Sequence, residues 1–154
     1  MSSCGDVILV EVTTKMKTLS DDERHEKVEV ATEGILSWLG VAQQWRIRLE
    51  FVDEFPEARG HRSGAVASID EDYPYRTLTL TWVRTAVDGY DLEMIEELTL
   101  HELLHILLFG DAYRFSTIYA QEHHRTNEWM DIEESAVDLA AHFLARLKPE
   151  DGWK

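Results

Sequence analysis

The sequence predicts an α+β fold: a small, mainly antiparallel sheet packed against an N-terminal helix, a central helix and a C-terminal helix. Three observations predict it. Apolar residues recur at helical spacing over 28–39 and again towards the C-terminus, and segments between them alternate apolar with polar at a period of two. The segment around residues 98–109 is apolar on nearly all sides, which marks a buried helix rather than a surface one. At 154 residues the chain suits one domain spanning 1–154, with enough length for a real core.

The elements follow in order. Val7 to Val12 is β-branched and suits a short strand. Ser20 followed by Glu23 is a capping-box pattern. It opens a helix carrying Val28, Ala31, Ile35, Trp38 and Leu39, which Gly40 can close. Trp45, Ile47, Leu49 and Phe51 then alternate with Arg46, Arg48 and Glu50, the pattern of a half-buried strand. Pro56 to Gly64 has loop composition. Ala65 to Ile69, a turn over Asp70 to Pro74, and Thr77 to Val83 read as a β-hairpin with Leu78, Leu80 and Trp82 on one side. Asp91 can cap a helix running to about Phe109, where Gly110 and Asp111 are expected to end it. A less regular stretch, Ala112 to Asn127, leads into a last helix from about Glu128 to Leu147, closed by Pro149.

Composition narrows the function. The net charge is −15, so a broad phosphate-gripping face is not expected and nucleic acid is set aside as a partner. Acidity serves solubility first and a preference for basic partners second. The single cysteine, Cys4, excludes a disulfide framework and a cysteine-based zinc knuckle. No basic-then-apolar leader opens the sequence, and no apolar run nears the roughly 20 residues of a membrane span. A cytoplasmic setting is the expectation.

The chemistry concentrates in His101-Glu102-Leu103-Leu104-His105. Residues four apart share a helix face, so two imidazoles can reach one Zn²⁺ at about 2.0–2.1 Å each. Glu102 lies about 100° round the helix, poorly aimed as a ligand but able to reach a bound water as general base. A shuffled chain of this composition would carry the motif with a probability of about 4%. Its apolar setting strengthens it. Polar groups inside such a helix need partners, since each unpaired one costs about 1–3 kcal/mol, and metal binding supplies them.

A catalytic zinc site takes three protein ligands. Asp111 has the spacing of one variant, although Leu108 stands where that variant needs a glycine. Glu133 and Glu134, at the start of the last helix, are better placed to give a His₂Glu set. Glu133, Ala136, Ala140, Phe143 and Leu147 fall on one stripe expected to face the core, which favours Glu133 as the ligand. On the other side, Glu134 and Asp138 lie four apart, and an aspartate there could receive the free ring N–H of a ligand histidine.

With these residues the chain resembles the gluzincin side of the zincin metallopeptidases. More narrowly it resembles small phage-encoded metallopeptidases and repressor-cleaving regulators of the ImmA/IrrE type. In that group a Glu-x-x-Ala-x-x-hydrophobic-Ala pattern carries the third ligand, matching Glu133, Ala136, Leu139 and Ala140. Val137 stands where the group commonly has a polar residue. The resemblance implies a minimal zincin-like domain, with His101, His105 and Glu133 holding zinc and Glu102 as general base. It also implies a peptide or protein substrate pairing with an edge strand, for which Thr77 to Val83 is the expected one. Tyr113, Tyr119, His123 and His124 are candidates for the oxyanion donor, and Trp82 could line a substrate groove. His25, His61 and His142 have no partner pattern. The competing reading is a zinc-binding module that recognises a partner without cutting it.

Overall fold

The computed structural model describes residues 17–55, 64–72, 75–122, 126–150 and 152–153, without the side chains of 109–130. The expected strand at Val7 to Val12 and the expected loop from Pro56 onward thus lie outside the described residues. The described elements run α1 (Asp21–Trp38), β1 (Arg46–Val52), β2 (Ala67–Asp72), β3 (Thr77–Val83), α2 (Arg84–Gly89), α3 (Leu92–Glu122) and α4 (Thr126–Ala145). None of the helices is long and apolar enough to cross a membrane among those residues.

Local chemistry sets the ends of α1. Glu23 donates its backbone N–H to Ser20 Oγ at 3.2 Å, and Glu23 Oε2 accepts from the Ser20 N–H at 2.8 Å, closing the capping box. At the other end Gly40 takes φ +72°, a left-handed conformation that suits a residue without Cβ. Its N–H reaches Ser37 O and that of Val41 reaches Leu36 O, both at 3.0 Å, which is a Schellman closure. Asp91 caps α3 through a 2.9 Å bond from the Met94 N–H.

The sheet is α+β in character as expected, and mixed in its pairing. Its order is β1-β3-β2, with β1 parallel and β2 antiparallel to β3. β3 is therefore the central strand, bonded on both sides. The expectation that it offers a free edge is overturned, because β1 takes the flank that the hairpin partner β2 leaves open. Alternation sorts the residues into two faces. Ile47, Leu49, Leu78, Leu80, Trp82, Ala67 and Ile69 lie on the face that the helices cover. Arg46, Arg48, Thr77, Thr79, Ser68, Asp70 and Asp72 lie on the other, which is mainly polar, with Val52 and Val83 at its end.

Two neighbouring clusters fill the helix-covered side. One joins Ile35 and Leu36 of α1 to Leu78, to Leu100, Leu103 and Leu104 of α3, and to Val137 and Ala141 of α4. The other joins Val28 and Ala31 to Leu80, Trp82, Val87 and Ile95. Trp82 is wholly buried, so it lines no groove. Burying a side chain of this size stabilises by about 1.5–3 kcal/mol relative to exposure, and α3 therefore sits between sheet and α4 as a fixed platform.

Three helical expectations shift. α3 continues through Gly110 to Glu122, because one glycine costs a helix only about 1 kcal/mol and the residues after it are ordinary helix formers. The short α2 interrupts the path from β3 to α3 where no helix was expected. On α4 the buried line is Glu133, Val137 and Ala141, whereas Phe143 and Leu147 are 62% and 52% exposed. The i, i+4 row through the small Ala141 lets α4 approach α3 closely, which the larger Phe143 would prevent.

Candidate metal centre

His101 and His105 lie one turn apart on α3, facing α4. Their Nε2 atoms are 3.1 Å apart. Glu134 of α4 lies over both, with Oε2 3.6 Å from His101 Nε2 and Oε1 3.7 Å from His105 Nε2. These three residues form a group that can hold a metal ion, one ligand atom from each lying within 4.8 Å of the others. The spacing is chemically telling. Two atoms each about 2.1 Å from one ion at a tetrahedral angle are about 3.4 Å apart. The observed separations, 3.1 Å between the imidazoles and 3.6 and 3.7 Å from them to the two different oxygens of Glu134, lie around that value.

The outer ring nitrogens are also engaged. His105 Nδ1 lies 2.7 Å from Glu133 Oε1, and His101 Nδ1 lies 2.9 Å from Asp138 Oδ1. A carboxylate can only accept, so His105 Nδ1 donates its proton to Glu133, while His101 Nδ1 lies within ion-pair distance of Asp138. That leaves the His105 Nε2 lone pair facing His101 Nε2 at hydrogen-bond distance. Such a pair needs a proton or a cation between or above it. A carboxylate behind each ring is the usual way to orient a ligand imidazole and raise its basicity.

The expectation of Glu133 in the ligand set meets a different placement. Glu133 is buried behind His105, and Glu134 is the carboxylate that shares the Nε2 cluster. Asp138 occupies the supporting position that the four-residue spacing allowed for. The cause is azimuth: the row that packs against α3 passes through Glu133, so the next residue, about 100° round, faces along the surface of α3 to both Nε2 atoms. The side chains of Asp111, Tyr113 and Tyr119, and residues His123 and His124 entirely, lie outside the described residues. So does His61. His25 and His142 lie away from the cluster, each 3.8 Å from a neighbouring glutamate, Glu29 and Glu97.

Electrostatics follow from this crowding. Burial disfavours the charged form of His101, but the hydrogen-bonding contact with Glu134 and the fields of Glu102, Asp138 and Glu134 outweigh it, so its pKa is raised. Burial pushes the Glu102 carboxyl up from the usual glutamate value. His101 and His105 oppose that rise, whereas Glu134 and Asp70 of β2 add to it. Glu102 is thus close enough to both imidazoles and to β2 to feel each of them.

No family model matches the chain, and comparison with curated proteins and with solved structures gives no match.

Proposed function

We propose that this protein is a zinc-dependent metallopeptidase of the zincin type, with His101, His105 and Glu134 as ligands. The single observation that carries the reading is the convergence of two Nε2 atoms and one carboxylate at tetrahedral separations, with Glu102 on the same helix turn. Two nitrogens and one oxygen, with a carboxylate supporting each imidazole, make a donor set suited to Zn²⁺. Three ligands leave a fourth position for water and substrate.

The chain's own residues then divide the work. Bound zinc supplies a Lewis acid and lowers the pKa of a coordinated water to about 7. Glu133 and Asp138 hold the two rings with Nδ1 protonated, so that both Nε2 atoms present lone pairs. Glu102 follows a ligand in sequence but points elsewhere on the helix, the placement for taking a proton from a water and passing it to a leaving amine. The hydrophobic bed of Leu100, Leu103 and Leu104 keeps the platform rigid beneath it.

The test is Glu102→Gln, which keeps shape and removes the base. The variant should retain zinc, measured by elemental analysis, and lose hydrolysis of casein and of a random peptide pool by about 10²-fold or more. Equal cleavage by variant and wild type overturns the assigned role. A wild-type protein that refuses zinc overturns the reading as a whole.

A further inference from the structure

α4 has two sides. Towards α3 it presents Glu133, Val137 and Ala141, all buried. On the far side it presents Ile132, Leu139 and Phe143, which are 61%, 72% and 62% exposed. At about 100° per residue these three and the half-buried Ala136 fall within an arc of about 60°, and Leu139 lies about 160° round from Val137. Leu147, 52% exposed in the turn that closes the helix, continues the line. Single exposed apolar residues are ordinary, but a row of four offers on the order of 400 Å² of apolar surface and marks an interaction face. Charge is graded along one flank of the row. Asp131 and Ser135 come first, then His142 and Arg146, all four exposed. The flank is thus acidic at one end and basic at the other.

We propose that this face pairs with the same face of a second copy of the chain, the two α4 helices lying antiparallel about a two-fold axis beside Leu139 and Ala140. The proposal does not depend on the peptidase reading above. Such an axis, perpendicular to the helices, sets each flank against the same flank of the other copy, run in reverse. Asp131 then meets Arg146 across the contact, and Ser135 meets His142. Ile132 meets Leu147, and the ring of Phe143 has the small Ala136 opposite, a knob facing a hole. A parallel pair would set this flank against the opposite one and lose the match. The same grading names the occupant. A basic helix from another protein would suit Asp131 and set like charges together at Arg146, whereas a reversed copy satisfies both ends. Two rows bury about 800 Å² of apolar surface, and their flanks bring the total near the roughly 1,200 Å² at which stable interfaces begin. The net charge of −15 on each copy opposes approach. The dimer is therefore reversible, with a Kd on the order of 10–100 μM.

The experiment is sedimentation velocity on the full chain from about 1 μM to about 500 μM, a span that brackets such a Kd. Wild type should pass from monomer to dimer. Leu139→Glu with Phe143→Ser should weaken association by about tenfold or more. Both side chains are exposed, so the double variant should keep the wild-type midpoint in urea. Arg146→Glu alone should weaken the dimer by about fivefold, and adding Asp131→Arg, which swaps the pair, should restore it to within about twofold. Register is read with a short bis-maleimide linker in a Cys4→Ser background. Leu139→Cys should cross-link to its own copy. Ile132→Cys should not, because the reversed partner places the two thiols about 22 Å apart along the helix. A monomer at every concentration overturns the proposal. So does a dimer that Leu139→Glu with Phe143→Ser leaves intact, since the contact then lies elsewhere. Cross-linking at Ile132 as readily as at Leu139 means a parallel pair and overturns the arrangement.

Discussion

Arg24 of α1 and His101 of α3 each face more than one carboxylate, yet the two regions balance charge in opposite ways. Arg24 gives Nε and Nη2 to the two oxygens of Asp88, both at 2.8 Å, and Nη1 to Asp21 at 2.7 Å. Its side chain is 7% exposed and that of Asp88 10%. The guanidinium is charged at every relevant pH and its fork matches a carboxylate, so this region closes on itself. Its pKa is raised further by the Asp88 contact. At the candidate metal centre the carboxylates Glu133, Glu134 and Asp138 meet imidazoles, which carry charge only when protonated. One region is complete as a protein. The other is a group of donors that a cation, proton or metal, would balance.

The largest expected break in this contrast is at Glu134. Glu134→Ala should lower zinc affinity by more than about 100-fold, whereas Glu133→Ala, which removes only support for His105, should cost about 10–100-fold. Competition with a chromophoric chelator measures both. The reverse order would make Glu133 the ligand after all.

Next comes the closed region. Arg24→Ala leaves Asp88 buried without its partner, and that should cost about 3–5 kcal/mol of stability. Urea unfolding gives the figure. Zinc content of the folded fraction should stay near that of wild type. A loss well under about 1 kcal/mol would mean that solvent, rather than Arg24, balances Asp88.

The smallest effect is in pH. Asp88 titrates below the ordinary aspartate value, chiefly because of its hydrogen bonds with Arg24. A depressed folded pKa means that the pair's contribution is full above the unfolded value of about 3.9 and is lost as pH falls through the folded one. Thermal melts of metal-free protein should therefore show an acid limb below about pH 4 that Asp88→Asn flattens. Zinc, by contrast, should leave at higher pH, because protons compete for imidazole ligands. Release of metal and acid unfolding at one common midpoint would erase the distinction between the regions.

What the sequence disclosed divides along the same physical line. Ser20 with Glu23, Gly40 and Asp91 were legible because a cap involves only neighbours in the chain. His101 and His105 were legible because four residues are one helical turn. The alternation in β1 and β3 announced strands, but alternation does not encode neighbours, so the central place of β3 had to come from tertiary structure. Glu134 was hidden by a similar limit. Choosing between adjacent glutamates requires the azimuth of α4 against α3: the stripe correctly marked Glu133 as buried, but in the structure it is Glu134 that shares the Nε2 cluster. The signal was nonetheless present: Asp138, four residues on, supports His101 only if Glu134 shares its side.

The mixed sheet has a consequence in time. Thr77 pairs with Asp72 across the hairpin and with Arg46 across everything between β1 and β3. A hairpin closes in about 1–10 μs, whereas a parallel partner must first wait for its long connection to be drawn in. During that interval the Leu78-Leu80-Trp82 strand has an uncovered flank, and the chain is open to sticking to its own copies. The docking of β1 ends that hazard, and the arginines at its margin keep the finished edge from repeating it.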